Sequence, residues 1–206
     1  MNYLRTVVIM ILFSIAANSS SFAQGMNMAG MQGMTETKNK FISIMDTMMM
    51  KMDQVPKGQS ASALFVFQMI PHHEGAIAMA DYEINNGKSF EMIQLAKSIK
   101  AEQQTELGQM KLLLQQINPS DVAPHTFNKK LNKTMEIMMV NMPAEKSIGD
   151  TDHAFAQIML PHHQAAIDMA RVLLKYPVNH QVAAFGRQLI SNEQIEIEQM
   201  STYLIK

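Results

Sequence analysis

The chain has 206 residues, 17 basic and 18 acidic side chains, a formal net charge of −1 and 47% hydrophobic residues. With no basic surplus to hold a polyanion, nucleic acid is excluded as a partner. There are 22 methionines and no cysteine, so disulfide frameworks and thiolate chemistry are excluded while sulfur is plentiful as thioether.

Residues 1–23 read as a secretory signal, with basic Arg5, an apolar run from Thr6 to Ala17, and small Ser21 and Ala23 at the cleavage-site positions. The run is about twelve residues, short of the roughly 20 that span a bilayer, which disfavours an uncleaved anchor. The expectation is export to the periplasm or the extracellular space, cleavage near Gln24, and no stable membrane insertion afterwards. Residues 24–37 carry Met26, Met28, Met31 and Met34 among Gly, Asn and Gln. With no periodic apolar face, this stretch reads as a flexible Met-rich tail whose methionines have no core to fill.

From residue 38 the chain divides into two units, 38–117 and 124–206. Shifting Met45–Leu114 by 90 residues onto Met135–Leu204 needs no gap and matches 18 of 70 positions, the mark of an internal repeat. Generic apolar positions exchange freely, as in Ile84 with Leu174 and Ile99 with Leu189. All seven methionines of the second copy, however, fall on a methionine of the first. Each unit predicts a short helix (38–53 and 126–142) and two long ones (62–86 and 89–117, then 151–175 and 179–205), with Ser, Asp or Asn in position to cap them. No segment alternates as a strand. The prediction is all-α, two helical hairpins forming a four-helix bundle, with an additional short Met-rich helix in each repeat.

Met45, Met48, Met49 and Met52 share one face of the first short helix, and Met135, Met138, Met139 and Met142 repeat the spacing. Such a stripe can fill a core, and it can also ligate. Thioether is a soft donor suited to Cu(I) and, by the same softness, Ag(I).

The long helices carry "MIPHHEGAIAMA" and "MLPHHQAAIDMA". Pro71 and Pro161 interrupt the hydrogen-bond ladder and predict a kink. Met69 precedes His72 and His73 by three and four residues and Met79 follows, while Met159, His162, His163 and Met169 repeat the set. A single histidine there reads as a core residue; a doubled one beside methionine, twice, reads as metal ligation. His73 is expected to share the core side with Ile77, Ala80 and Ile84. The third helices add "QTELGQM" and "QIEIEQM", which put Met110 and Met200 one turn after Glu106 and Glu196. Either glutamate can accept the free N–H of a ligating histidine, the outer contact metal sites use to fix a tautomer, or can be a solvated helix charge.

The pattern Phe-x-x-x-Met-x-Pro-His-His-x-x-Ala-Ile-x-Met-Ala, followed by Gln-x-Glu-x-x-x-Met, resembles domain-of-unknown-function family 305. The resemblance covers both repeats. The second copy fits more fully, because Asp152 and Tyr203 stand where the first copy has Ser62 and Leu113. The resemblance implies a ferritin-like bundle, export and, in CopM-like members, copper binding.

Together these readings favour an exported copper-binding protein, with Ag(I) as a further cargo, acting in sequestration, tolerance or transfer to copper-transport or copper-accepting proteins. One alternative is a Met-rich helical interaction module without metal. The other is a ferritin-like metal-dependent oxidase, against which stands the absence of any Glu-x-x-His pair. The expectation is a binding protein and not an enzyme.

Overall fold

A computed structural model describes residues 39–56, 58–117 and 122–206. The expected signal and Met-rich tail lie outside the described residues. Six α-helices and no strand occur among those described: α1 (Lys40–Asp53), α2 (Ala61–Asn86), α3 (Phe90–Gln116), α4 (His125–Asn141), α5 (Thr151–Leu173) and α6 (His180–Leu204), with a 3-10 turn at Glu145–Ser147. None is long and apolar enough to cross a membrane.

Local chemistry explains the boundaries. The side chains of Asn39, Ser60, Ser89, Asp150 and Asn179 accept hydrogen bonds from the first free backbone N–H groups of α1, α2, α3, α5 and α6. That satisfies donors that would otherwise be orphaned at each helix start. α4 follows Pro124 and has no side-chain cap. Pro71 and Pro161 lie inside α2 and α5, and both helices continue through them. Each proline leaves the carbonyl four residues earlier, at Phe67 and Gln157, without its usual intrahelical donor.

α2 packs against α3 and α5 against α6 as two hairpins, joined mainly through α2 and α5. The short helices lie outside, α1 on α2 and α4 on α5. Phe41 of α1 reaches Phe155 of α5, with ring centroids 6.1 Å apart, and meets Tyr82 of α2 edge-on at 5.1 Å. Phe41, Phe65, Phe127 and Phe155 are all buried. Each such side chain is worth about 1.5–3 kcal/mol relative to exposure, so the phenylalanines fasten the short helices to the bundle. On α2 His73 and Ala80 of the expected core side are fully buried, but so are His72, Ala76, Met79 and Glu83, whereas Ile77 and Ile84 are only partly buried. The core side is thus broader than expected and extends to the neighbouring stripe: both histidines point inward.

The 90-residue repeat extends to contacts at the two ends of the bundle. Ser89 N donates to Asp152 Oδ1 at 2.8 Å, and the equivalent Asn179 N donates to Ser62 Oγ at 2.9 Å. Each hairpin turn is therefore tied to the first turn of the first helix of the other hairpin.

Candidate metal centre

α2 and α5 bring the four histidines of the doubled motif into the centre of the bundle, where His72, His73, His162 and His163 are all fully buried. His72 and His162 occupy the same position in the two copies, and their rings stack with centroids 3.7 Å apart at 33°. His73 Nε2 donates to Glu106 Oε2 at 2.6 Å, and His163 Nε2 donates to Glu196 Oε2 at 2.8 Å. Both contacts run from the first helix of a hairpin to the second, between the residues the sequence spacing singled out.

A third polar contact was not anticipated. Gln103 Nε2 donates to Glu193 Oε1 at 3.0 Å, joining α3 to α6 between equivalent positions of the two copies. Gln103 and Glu193 precede Glu106 and Glu196 by three residues, so helical spacing already placed them on the same inward face. No sequence spacing, in contrast, announces the stacking of His72 on His162, which depends on how the hairpins meet.

Six imidazole nitrogens are left without a partner: both ring nitrogens of His72 and of His162, and Nδ1 of His73 and of His163. Glu193 Oε2 and Gln103 Oε1 are also unpartnered. Buried polar atoms are rarely left so, and their concentration at one place marks a site with unused donor capacity.

Electrostatics divides the histidines. Burial, reinforced by His73 and His163, holds His72 well below the ordinary imidazole range. Burial and the neighbouring His72, His163 and His73 do the same to His162. Both are therefore neutral at pH 7, and each keeps one ring nitrogen with a free lone pair. Burial alone would also lower His163, but Glu193, Glu196 and Glu102 raise it to about 9. Burial pushes Glu193 up to about 8; His163 opposes this, and Glu196 and Glu106 add to it. The second copy thus holds a protonated imidazole where Glu193 stands, and the first has the uncharged Gln103.

Met69, Met79, Met110, Met159, Met169 and Met200 are each fully buried. Among the described residues no three His, Asp or Glu side chains are gathered closely enough to hold an ion by themselves. An ion held here would need a further donor, and the soft donor these buried methionines carry is thioether sulfur.

Seven of the eight stripe methionines divide into two groups. Met45, Met48 and Met138 are core residues; Met48 packs so closely on Gly75 of α2 that an added Cβ would lie 3.1 Å from its sulfur. Met52 and Met135, though largely buried, line a surface groove of about 450 Å³ with Met49, Met139, Gln68, Asn132, Asp53 and Glu136. This groove brings thioethers of both copies together between α1 and α4. Met142 is partly buried at the end of α4.

The family described as "Domain of unknown function (DUF305)" matches the chain twice, over residues 14–114 and 62–204. No curated protein matches. Among solved structures, a DUF305 fragment from Deinococcus radiodurans is 21% identical with a TM-score of 0.52, over 72% of this chain and 98% of its own. CopM in a silver-bound form, prepared by soaking, is 26% identical with a TM-score of 0.53, over 69% of this chain and 93% of its own. CopM in a Cu(II)-bound form is 25% identical with a TM-score of 0.53, over 69% and 95%. The doubled Met-x-Pro-His-His motif, its helical bundle and these matches place the chain: it belongs to the DUF305 family.

Proposed function

We infer that the protein is an exported copper-binding protein that takes up Cu(I), and Ag(I) by the same chemistry, to sequester it or pass it to a copper-accepting partner. The observation that carries this reading is the set of six unpartnered imidazole nitrogens in the same buried core as the six methionines of the repeated long-helix motifs. The donor set fits a soft monovalent ion, because neutral imidazole and thioether suit Cu(I) and Ag(I) and fit hard oxygen-seeking cations poorly. The resemblance to CopM, solved with silver and with Cu(II) bound, supports the same cargo.

In this reading the fold is a ferritin-like four-helix bundle of two tandem repeats, preceded by a signal at 1–23 and a tail at 24–37. His72, His73, Met69, Met79 and Met110 form one half of the inner site, and His162, His163, Met159, Met169 and Met200 the other. Glu106 and Glu196 hold the Nε2 hydrogens of His73 and His163 and so aim each Nδ1 at the ion. On the second side Nδ1 must shed a proton before it can bind. The groove lined by Met49, Met52, Met135 and Met139 serves capture and exchange at the surface, as does the tail. The role is binding without catalysis.

Competition of the exported protein against a chromogenic Cu(I) chelator tests the reading: the protein withdraws Cu(I) from the chelator. A second reading, a Met-rich module for an apolar partner, draws on the exposed Ile137, Met139 and Val140 of α4. Failure to withdraw Cu(I) would leave that reading in place of the first.

A further inference from the structure

At one end of the bundle, Asp152 of α5 accepts hydrogen bonds from the α2–α3 turn. Its Oδ1 receives Lys88 N at 2.9 Å and Ser89 N at 2.8 Å, and its Oδ2 lies 3.2 Å from Lys88 N. Beside it, Glu83 of α2 is fully buried, and neither of its carboxyl oxygens receives a hydrogen bond from an N–H or hydroxyl group. The Asp152 carboxyl is the polar group beside it at this turn: Glu83 Oε1 lies against Gly87, and Asp152 holds the next two backbone N–H groups. Two carboxyl groups can bond only when one carries a proton. Gly87 closes the space above them, since a Cβ there would fall on Glu83 Oε1. Its φ of −68° is ordinary, so the glycine is needed for room and not for backbone freedom.

The other end of the bundle lacks this pair. Leu173 takes the place of Glu83 and Ser62 that of Asp152, while the tie from Asn179 N to Ser62 Oγ is kept. Both acids are absent together, and the turn is still held. The acid pair is therefore an addition to a working hairpin tie.

We propose that Glu83 and Asp152 form a proton-gated latch, closed while they share a proton and opened when that proton is lost, which frees the α2–α3 turn from the start of α5. Several charged or titratable groups face the latch. From α5 come Asp150 and His153, paired at 3.0 Å; the turn contributes Lys88, and α6 contributes Tyr203, whose ring lies 5.2 Å from that of His153. Glu91 at the start of α3 is engaged with Lys206 at 2.7 Å. Burial, the bond to Asp152 and the charges of Asp152 and Asp150 raise Glu83 to about 8. In the opened turn Glu83 would ionise in its ordinary range. The latch is thus fully stabilising below the ordinary carboxylate range, weakens as pH rises and is lost as pH passes about 8.

Amide hydrogen exchange at Lys88 and Ser89 measures the opening directly. After correction for intrinsic base catalysis, protection in the wild-type protein falls about tenfold per pH unit between pH 5.5 and 7.5, the slope of one released proton. Glu83→Gln cannot ionise, so protection at these two amides becomes independent of pH. Glu83→Leu, which copies Leu173, gives the same flat profile should the glutamine variant not fold. A flat wild-type profile, or an unchanged slope in either variant, would overturn the latch. Amides in the middle of α6 separate local opening from global unfolding: they keep their protection while Lys88 and Ser89 lose theirs, and parallel loss at all of them also counts against the proposal.

Discussion

Replacing Met69, Met110, Met159 and Met200 together by leucine is expected to lower Cu(I) affinity by at least ~100-fold, about 2.7 kcal/mol, while the protein stays folded. Leucine matches methionine closely in volume, and each such swap in a packed core costs under about 1.5 kcal/mol. All four methionines are fully buried, so the substitution removes sulfur with little change in shape. Competition titration reads the affinity, and chemical denaturation confirms the fold. If the leucine variant binds Cu(I) like the parent, the inner thioethers are packing residues and ligation belongs to the surface groove.

Removing the Glu196 carboxylate as Glu196→Leu is expected to cost about 3 kcal/mol or more, because it leaves a buried imidazolium without its hydrogen-bonded partner. Desolvation opposes the charge on His163, and Glu193, Glu196 and Glu102 outweigh it to set its value near 9. Since the folded value lies above the ordinary 6.5, the pair's stabilisation is complete below about pH 6.5 and disappears as pH rises through about 9. Denaturation of parent and variant should therefore differ most at pH 6 and converge above pH 9. The His163 resonances of the variant should titrate lower than those of the parent. Equal stability at pH 6 would contradict the charged pair.

Much of this arrangement is legible in the chain because helices report themselves through spacing. The helix ends fall within about two residues of where the caps, Gly87 and Pro177 place them. The His73–Glu106 and His163–Glu196 contacts follow from one motif on each helix of a hairpin, with the 90-residue repeat confirming the pairing. What the sequence does not carry is the meeting of the two hairpins. The stacking of His72 on His162 and the Gln103–Glu193 bond depend on the approach of one hairpin to the other, which no periodicity along a single helix specifies. The burial of the His72 stripe alongside His73 has the same origin: α5 covers α2 from a side that its own sequence does not reveal. The Met stripes were ambiguous for a different reason. One spacing served two ends, with Met45, Met48 and Met138 in the core and Met49 and Met139 at a groove.

The Glu83–Asp152 pair was half visible. Asp152 stood out because Ser62 replaces it in the first copy, but Glu83 lies in the other repeat and matches Leu173, an exchange that looks like surface drift until the fold brings the two acids together.

The most direct test of the central claim is X-ray absorption at the copper edge of protein loaded with Cu(I). Sulfur scattering from thioether together with imidazole nitrogen, both reduced when His72, His73, His162 and His163 are replaced, is the predicted result. A spectrum of oxygen and nitrogen ligands alone, or one that the histidine substitutions leave unchanged, would contradict it.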